Sequence, residues 1–137
     1  MQLVIDANVL IAAFLKEATT RRLIFDERLN LIAPEHLLIE TKKVLSQPRI
    51  LKRLNLSPKE MNRMFSLLGG QIEFMPHELY ISEIDRAKNI AAHIEDASYV
   101  ALALKTASPI WSNDMELSRQ PHIHAVSTSE LIELLKP

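Results

Sequence analysis

The sequence predicts an α/β fold: a single-domain, three-layer sandwich in which helices flank a central, mainly parallel β-sheet. Short apolar runs alternate with longer stretches of helical periodicity along the chain, the pattern of strands joined by helical crossovers. No repeat, low-complexity stretch or shift in composition divides the 137 residues, so we expect one domain over residues 1–137. With 47% hydrophobic and 24% charged residues, the chain can bury a substantial core.

Two short strands and the helices around them are predicted in the first half of the chain. Residues 3–5 form an apolar run without polar alternation, so this strand should be buried on both faces. Residues 31–33 form the second strand, and Pro34 should end it and begin the first turn of a helix. A serine cap, a proline and a glutamate at residues 57–60 mark another helix start, and Gly69-Gly70 should end that helix in the left-handed conformation. The predicted helices span residues 9–15, 20–27, 35–45 and 57–69, with one further turn at 49–54.

Three more strands are predicted in the second half, at residues 72–75, 109–111 and 124–126. Between the first two of these, apolar residues repeat with helical spacing, and residues 129–135 form a closing helix. The two helical stripes are Ile84, Ala87, Ala91 and Ile94, and then Ala97, Val100, Ala101 and Leu104. Open parallel sheets bind ligands beyond the carboxyl ends of their strands, so a functional site is expected at that edge.

Three of the five aspartates lie where such a sheet would place a site. Asp6 directly follows the first strand, Asp114 lies just past the fourth, and Asp96 stands at the head of the second helical stripe. Each position also has an ordinary structural explanation. Asp6 or Asn8 would cap a helix, Asp96 would favour a helix N-terminus through the dipole, and Asp114 would form an Asx turn.

Glu40 is harder to explain as a structural residue. It lies three residues after Leu37 and four before Val44, so it falls on the inward, apolar stripe of its helix. Asp96 lies four residues before Val100 and shares this placement. Burial of a lone carboxylate is strongly unfavourable unless a cation or hydrogen-bond donors meet it. A buried salt bridge would meet that need, but the sequence places no basic residue opposite either acid.

Several carboxylates at one edge of a sheet would repel one another and bind protons more tightly. Hard divalent cations relieve that repulsion, and Mg²⁺ is bound by one or two carboxylates together with waters and substrate phosphates. Such a site activates water and neutralises the charge that develops during in-line attack on phosphorus. The pattern of acids therefore favours metal-dependent phosphodiester chemistry.

Four motifs, in order and over essentially the whole chain, resemble those of the PIN-domain ribonuclease family, which includes toxins of the VapC type. They are Asp6-Ala7-Asn8, Pro34-Glu35-His36-Leu37-Leu38-Ile39-Glu40, Asp96-Ala97-Ser98-Tyr99-Val100-Ala101-Leu102-Ala103-Leu104 and Trp111-Ser112-Asn113-Asp114. The resemblance implies a PIN-like fold and a metal site formed by Asp6, Glu40, Asp96 and Asp114, with Asn8 and Ser112 orienting a ligand or the attacking water. Where many relatives have a further aspartate this chain has Glu116, either an outer helper or a residue without a role.

The resemblance also implies an activity and partners. The activity is endonucleolytic cleavage of single-stranded RNA by water, with Mg²⁺ or Mn²⁺, and one such role is the toxin of a toxin–antitoxin pair. The implied partners are single-stranded RNA, an antitoxin protein and a second copy of the chain, the homodimer forming through the helices between Lys42 and Leu68. The alternative is a catalytically silent PIN-like scaffold that binds RNA or protein. Retention of all four acids argues against that alternative.

The net charge of −1 argues against a protein that coats nucleic acid by bulk electrostatics, but the basic residues are clustered. The stretch 42–63 holds seven basic residues and one acid, Glu60, a local excess of six positive charges. Beside the site this stretch would guide the phosphate backbone, and the ordinary alternative is a solvated helical surface. The basic residues are Lys42, Lys43, Arg49, Lys52, Arg53, Lys59 and Arg63.

Several function classes are excluded by what the sequence lacks. Without cysteine there is no disulfide, thiol catalysis or cysteine-bound metal, and without a glycine-rich loop nucleotide hydrolysis is not expected. His122 and His124 alternate on a predicted strand but have no evident third ligand, and Trp111 and Tyr99 are expected to pack rather than stack bases. The longest apolar run, residues 9–15, is far short of the ~18 residues of a membrane helix, and a cytoplasmic location is the default expectation.

Overall fold

The computed structural model describes residues 1–15 and 17–137, and its centre is a five-stranded parallel sheet. The strand order is β3-β2-β1-β4-β5, and every neighbouring pair runs parallel. The strands are β1 (Gln2–Ile5), β2 (Asn30–Pro34), β3 (Ile72–Met75), β4 (Ile110–Trp111) and β5 (Ala125–Val126). The prediction of a central parallel sheet is confirmed, and no strand boundary differs from the predicted one by more than one residue.

Helices connect the strands and flank the sheet. The described helices are α1 (Ala7–Phe14), α2 (Ala18–Ile24), α3 (Leu37–Leu45), α4 (Pro48–Leu54), α5 (Pro58–Gly69), α6 (His77–Tyr80), α7 (Ile84–Ile90), α8 (Ala97–Thr106), α9 (Met115–Arg119) and α10 (Thr128–Leu135). Two short 3₁₀ segments, Ile81–Glu83 and Ile94–Asp96, lie on either side of α7. The one-turn helices α6 and α9 are not among the elements predicted from the sequence.

The centre of the sheet is covered on both faces. Leu3, Val4 and Ile5 are all fully buried, and successive strand residues point to opposite faces, so both faces of β1 must be packed. Helix α8 contacts β1 and β2 and buries an almost continuous run of small and apolar side chains. Strand β1 has no polar alternation because helices cover both faces of the sheet and bury Leu3, Val4 and Ile5.

The order of the strands reverses beside β1. The chain passes from β1 to β2 and β3 on one side, and β4 and β5 are added on the other side of β1. In open parallel sheets the connections diverge at such a point, which leaves a crevice at the carboxyl ends of the two central strands. That crevice lies beyond Ile5 and Trp111, which are register partners on β1 and β4.

Two local predictions at the helix ends are wrong. Pro34 does not begin a helix: it is the last residue of β2, paired in register with Met75, and α3 starts only at Leu37. Gly70 does follow α5, but with φ −65° it is right-handed, since its N–H reaches the Ser66 carbonyl within an ordinary helical turn. In the described part of the chain, the left-handed residues are instead Asn55 and Ala107, which end α4 and α8.

The predicted stripe from Ile84 to Ile94 is also not one helix. Helix α7 ends at Ile90, Ala91 is extended with ψ 133°, and Ile94 is 73% exposed in the following 3₁₀ turn. Alanine is compatible with both conformations, so periodicity could not reveal this break. The break matters because it turns the chain so that Asp96 stands at the start of α8.

Replacement of Ala107 by glycine should stabilise the protein. Ala107 is exposed and has φ 52°, where a Cβ atom is strained and glycine is not. We expect Ala107→Gly to raise the free energy of unfolding by roughly 0.5–1 kcal/mol, measured by urea denaturation. The control Ala12→Gly, inside α1, should lower the same quantity by about 1 kcal/mol. A loss of stability in Ala107→Gly would contradict the assignment of strain.

Candidate active site

A cleft opens at the carboxyl edge of the sheet, where β1 and β4 end. It consists of two adjoining cavities of about 250 and 240 Å³ that share several lining residues. Both are lined by Asp6, Asn8, Glu95, Asp96 and Tyr99. Asp114 lines the first cavity and Glu40 lines the second. The structure therefore brings all four sequence-predicted acids and Asn8 to one cleft.

Asp6 is held in place from the neighbouring strand. Its N–H donates to the Trp111 carbonyl at 3.1 Å, which continues the β1–β4 ladder by one residue. The buried Ser112 hydroxyl donates to Asp6 Oδ2 at 2.8 Å and accepts the N–H of Asp114 at 3.1 Å. Ser112 thereby joins the acids that follow β1 and β4, although it does not itself line either of the two cavities.

Three of the acids begin helices, but they do so differently. Asp114 Oδ1 accepts the N–H of Glu116, two residues on, at 2.9 Å; this is the expected Asx turn, and it also caps α9. Asp6 and Asp96 occupy the same position before α1 and α8, yet neither side chain accepts a capping hydrogen bond. Helix capping therefore does not account for Asp6 and Asp96.

Burial and mutual repulsion shift the titration of two of these acids. Burial, followed by the charges of Asp6, Asp114 and Glu95, raises the pKa of Asp96 to about 6, and His93 opposes the shift. Burial also raises the pKa of Asp6, with a smaller contribution from Asp114; the hydrogen bond from Ser112 and the nearby backbone N–H groups of Asn8 and Ala7 oppose the shift. The predicted conflict between carboxylates at the sheet edge is present at these two positions.

Glu40 differs from its sequence-based description. Its side chain is 36% exposed rather than buried, and it has a basic partner, because His36 Nε2 lies 2.8 Å from Glu40 Oε1. The Tyr99 hydroxyl donates to the other oxygen, Oε2, at 3.1 Å. The expectation of an inward carboxylate without a basic partner is therefore wrong. The partner is His36, which lies one helical turn before Glu40 and directly precedes α3. It is not a lysine or an arginine on a facing element.

The chemistry of the donors fits a hard divalent cation, but the side chains do not form a ready coordination shell. Carboxylate oxygens, with an amide and a hydroxyl beside them, are the ligands that Mg²⁺ and Mn²⁺ prefer. Among the described residues, no group of three or more histidine, aspartate or glutamate side chains stands close enough together to hold a metal ion.

Three further polar residues line the cleft but are not among the predicted site residues: His93, Glu95 and Tyr99. The sequence predicts only packing for Tyr99, and this residue is buried as expected. Glu95 adjoins Asp96, and Tyr99 lies one helical turn after it, so proximity to a candidate acid could have suggested both. His93 is equally close to Asp96 in the sequence, but its position in the cleft depends on the break after α7, which the sequence does not reveal. Its Nε2 lies 3.7 Å from Glu116 Oε2, and both side chains are about 60% exposed, so this pair spans the rim of the cleft.

Three residues considered in the sequence for base stacking or metal binding, Trp111, His122 and His124, do not line the cleft. Trp111 is fully buried and donates from Nε1 to Thr128, as expected of a packing residue. His122 and His124 precede β5 rather than lying on it, and they line a separate cavity of about 310 Å³ with Ser108 and Pro109. These two histidines mark the opposite, amino-terminal edge of β4, away from the acids.

The basic stretch lies on α3, α4 and α5, and all seven of its basic residues are solvent-exposed. The structure describes every one of them, and none lines the two cavities of the cleft. Lys43 lies three residues after Glu40 on α3, whereas the Lys42 ammonium lies 5.2 Å from the centre of the Phe65 ring and lines a different groove. The stretch adjoins the cleft through α3 but does not form its wall.

Neutralisation of Asp96 should stabilise the metal-free protein at neutral pH. Because its pKa is raised from 3.8 to about 6, the folded chain binds the proton more tightly, and stability falls as pH rises through that interval. In EDTA at pH 7, Asp96→Asn should raise the free energy of unfolding by roughly 1 kcal/mol, allowing for solvent screening of a half-exposed group. Urea denaturation from pH 4 to pH 7 measures this, with Asp85→Asn on exposed α7 as the control. Equal pH profiles for wild type and Asp96→Asn would refute the assignment.

Comparison with known proteins places the chain in a family. A family model described as PIN domain matches residues 4–131 of the 137. No curated protein matches the chain. Within residues 1–15 and 17–137, no helix has both the length and the apolar character needed to cross a membrane. Because the family match spans nearly all of the sequence, the protein belongs to the PIN-domain family, whose members are generally nucleases that use divalent metals.

Proposed function

We propose that this PIN-domain protein, acting as one domain over residues 1–137, is a metal-dependent endoribonuclease that cleaves single-stranded RNA with water as the nucleophile. The observation that carries the proposal is the placement of Asp6 and Asp96. Both begin helices without capping them, both have a raised pKa, and both line the cleft at the switch point of the sheet. Acids in a cleft whose pKa is shifted by burial and by neighbouring charges are typical of functional sites.

The four acids would hold the cation. Asp6, Glu40, Asp96 and Asp114 line the cleft and supply oxygen ligands suited to Mg²⁺ or Mn²⁺. Such a cation lowers the pKa of a bound water and neutralises charge on the reacting phosphate. The protein's own contribution is to fix the ligands and to exclude alternative geometries.

Ser112 and Asn8 would have supporting roles. Ser112 fixes Asp6 Oδ2 and the backbone of Asp114 with one hydroxyl, so it sets the spacing of the two acids that follow the central strands. Asn8 is exposed and lines both cavities, where its amide would donate to a phosphate oxygen or orient the attacking water. Glu116, paired with His93 at the rim, would act outside the ligand set.

The biological setting is proposed from the same family membership. The toxin of a toxin–antitoxin pair is one role that an endoribonuclease of this size would fill, with an antitoxin protein as its partner and the cytoplasm as its location. A homodimer would form through the helices between Lys42 and Leu68, where Leu51 and Leu67 are about half exposed. Exposed leucines on adjoining helices are a surface that a second copy would cover.

A non-enzymatic scaffold is the second candidate, and one observation favours it. Among the described residues, no group of three or more histidine, aspartate or glutamate side chains stands close enough together to hold a metal ion. A scaffold would bind RNA or protein through the same cleft or through the basic helices without cutting. Binding that survives substitution of the acids, with cleavage absent throughout, is the behaviour expected of such a protein.

Cleavage should require both a divalent metal and the cleft acids. End-labelled single-stranded RNA is incubated with the protein in Mn²⁺, Mg²⁺ or EDTA, beside Asp96→Asn and Glu40→Gln. We expect cleavage only with metal, and a loss of about 100-fold or more in each variant, since metal-assisted stabilisation of the transition state amounts to several kcal/mol. Glu35→Gln is the matched control, because Glu35 is an exposed acid of the same segment that lines neither cavity.

The outcomes separate the two candidates. Cleavage that persists in EDTA or in folded Asp96→Asn would mean that a different site or a contaminating nuclease is responsible. Absence of cleavage by the wild type, together with metal-independent RNA binding, would support the scaffold. Circular dichroism establishes folding of each variant beforehand.

Affinity for RNA should depend on salt through the basic helices. Removal of one phosphate-binding charge should reduce the slope of log Kd against log salt by roughly 0.7 for single-stranded RNA. We expect removal of both charges in the double variant Lys52→Ala with Arg53→Ala on α4 to reduce that slope by about 1.4 in the catalytically disabled Asp96→Asn background. Lys105→Ala, at the far end of α8, should leave the slope unchanged. A salt-independent Kd would rule out phosphate binding by these helices.

A further inference from the structure

Both carboxylate oxygens of Glu40 are held by side chains from two different elements. His36, the residue before α3, meets Oε1 at 2.8 Å, and the hydroxyl of Tyr99 on α8 donates to Oε2 at 3.1 Å. The rings of His36 and Tyr99 pack edge to face, with centroids 5.8 Å apart and planes at 75°. The three side chains therefore fix one another's orientation at the wall of the cleft.

Structural need alone does not explain this arrangement. Glu40 is 36% exposed, so water can satisfy its oxygens without help from the protein. Tyr99 is only 4% exposed, and a phenylalanine there would bury the same ring without the cost of burying a hydroxyl. The hydrogen bond to Glu40 offsets the cost of burying the Tyr99 hydroxyl. Because Glu40 lines the cleft, this hydrogen bond acts on an acid of the candidate site.

A second tyrosine in the chain provides a comparison. Tyr80 is 1% exposed and packs edge to face with His77, at a centroid distance of 5.4 Å and an angle of 79°. Neither residue lines the cleft, and the pair belongs to the short helix α6. Edge-to-face packing of tyrosine and histidine thus occurs twice among the described residues. The pair at the cleft, His36 and Tyr99, is the one that contacts the candidate metal ligand Glu40.

We propose that Tyr99 and His36 are positioning residues that hold the Glu40 carboxylate in the orientation in which it meets the divalent cation. This inference rests on the proposed function. Oε2 keeps a free lone pair after accepting the hydrogen bond from Tyr99, and Oε1, which lies 2.8 Å from His36 Nε2, also has a second lone pair, so the held carboxylate still offers electron pairs to a cation. Its side-chain freedom has already been removed, so less entropy is lost when the cation binds. Outer partners of this kind commonly change metal affinity by 10–100-fold.

Removal of the Tyr99 hydroxyl should weaken metal binding directly. Mn²⁺ binding to the full chain is measured by the electron paramagnetic resonance signal of the free ion, which needs no substrate or turnover. We expect Tyr99→Phe to raise the Kd for Mn²⁺ about 10-fold. The matched control Tyr80→Phe removes a hydroxyl from the other buried tyrosine and should leave that Kd unchanged.

His36 is tested by a conservative pair of variants. His36→Gln retains an N–H at a similar distance from the backbone and should bind Mn²⁺ within about 2-fold of the wild type, whereas His36→Ala should bind about 10-fold more weakly. Rescue by glutamine would show that a donor to Glu40 is what matters. Equal losses in His36→Gln and His36→Ala would overturn the role of His36.

A double-variant comparison separates positioning from general structural damage. If Tyr99 acts through Glu40, then Tyr99→Phe should cause no further loss of Mn²⁺ affinity in a Glu40→Gln background. A further loss there of the same size would overturn the proposal, as would wild-type affinity in folded Tyr99→Phe. In both cases cleavage by the wild type with metal would leave the proposed function standing. A wild type that neither binds Mn²⁺ nor cleaves RNA would end both.

Discussion

The parallel pairing of β1 with β4 is the constraint on which the cleft depends. Ile5 and Trp111 are register partners, and the Asp6 N–H extends the ladder to the Trp111 carbonyl. Only this register brings Asp6 within reach of the Ser112 hydroxyl. A shift by one residue would turn these side chains to opposite faces of the sheet, because strand side chains alternate. The fully buried residues of β1 make such a shift costly, so the core protects the geometry of the site.

Helix termini make the crowding of acids tolerable. Asp6, Asp96 and Asp114 each stand immediately before a helix, so the first turns of α1, α8 and α9 converge on the same cleft. The positive end of a helix dipole favours a carboxylate, whereas burial and neighbouring carboxylates disfavour it. At Asp6 and Asp96 the unfavourable effects win, as their raised pKa values indicate. Carboxylates thus repel one another at the switch point of the sheet, and a bound cation would relieve that repulsion.

The parts of the molecule that the sequence could predict are those with local signals. The apolar run before Asp6 and the run before Asp114 identify strands, and an acid just after a strand is visible without any tertiary information. The hydrogen bond from Tyr99 to Glu40 joins residues 59 positions apart, so no local sequence pattern could predict it. His36 precedes Glu40 by one helical turn, so their contact could have been predicted from the spacing alone. The place of His93 depends on the extended backbone at Ala91, a residue that suits a helix equally well.

The charges of the cleft also bear on the order of events under the proposed function. Among the described residues, its lining holds five acids, Asp6, Glu40, Glu95, Asp96 and Asp114, against the single basic side chain His93. An RNA phosphate entering this lining without a cation would meet like charge on nearly every side. The basic helices α3 to α5 stand outside the cavities, where they can attract the backbone but cannot neutralise the acids. Under the proposed function we therefore expect RNA to bind productively only when the cation is present, and the contacts of Tyr99 and His36 with Glu40 would prepare the cleft for that cation.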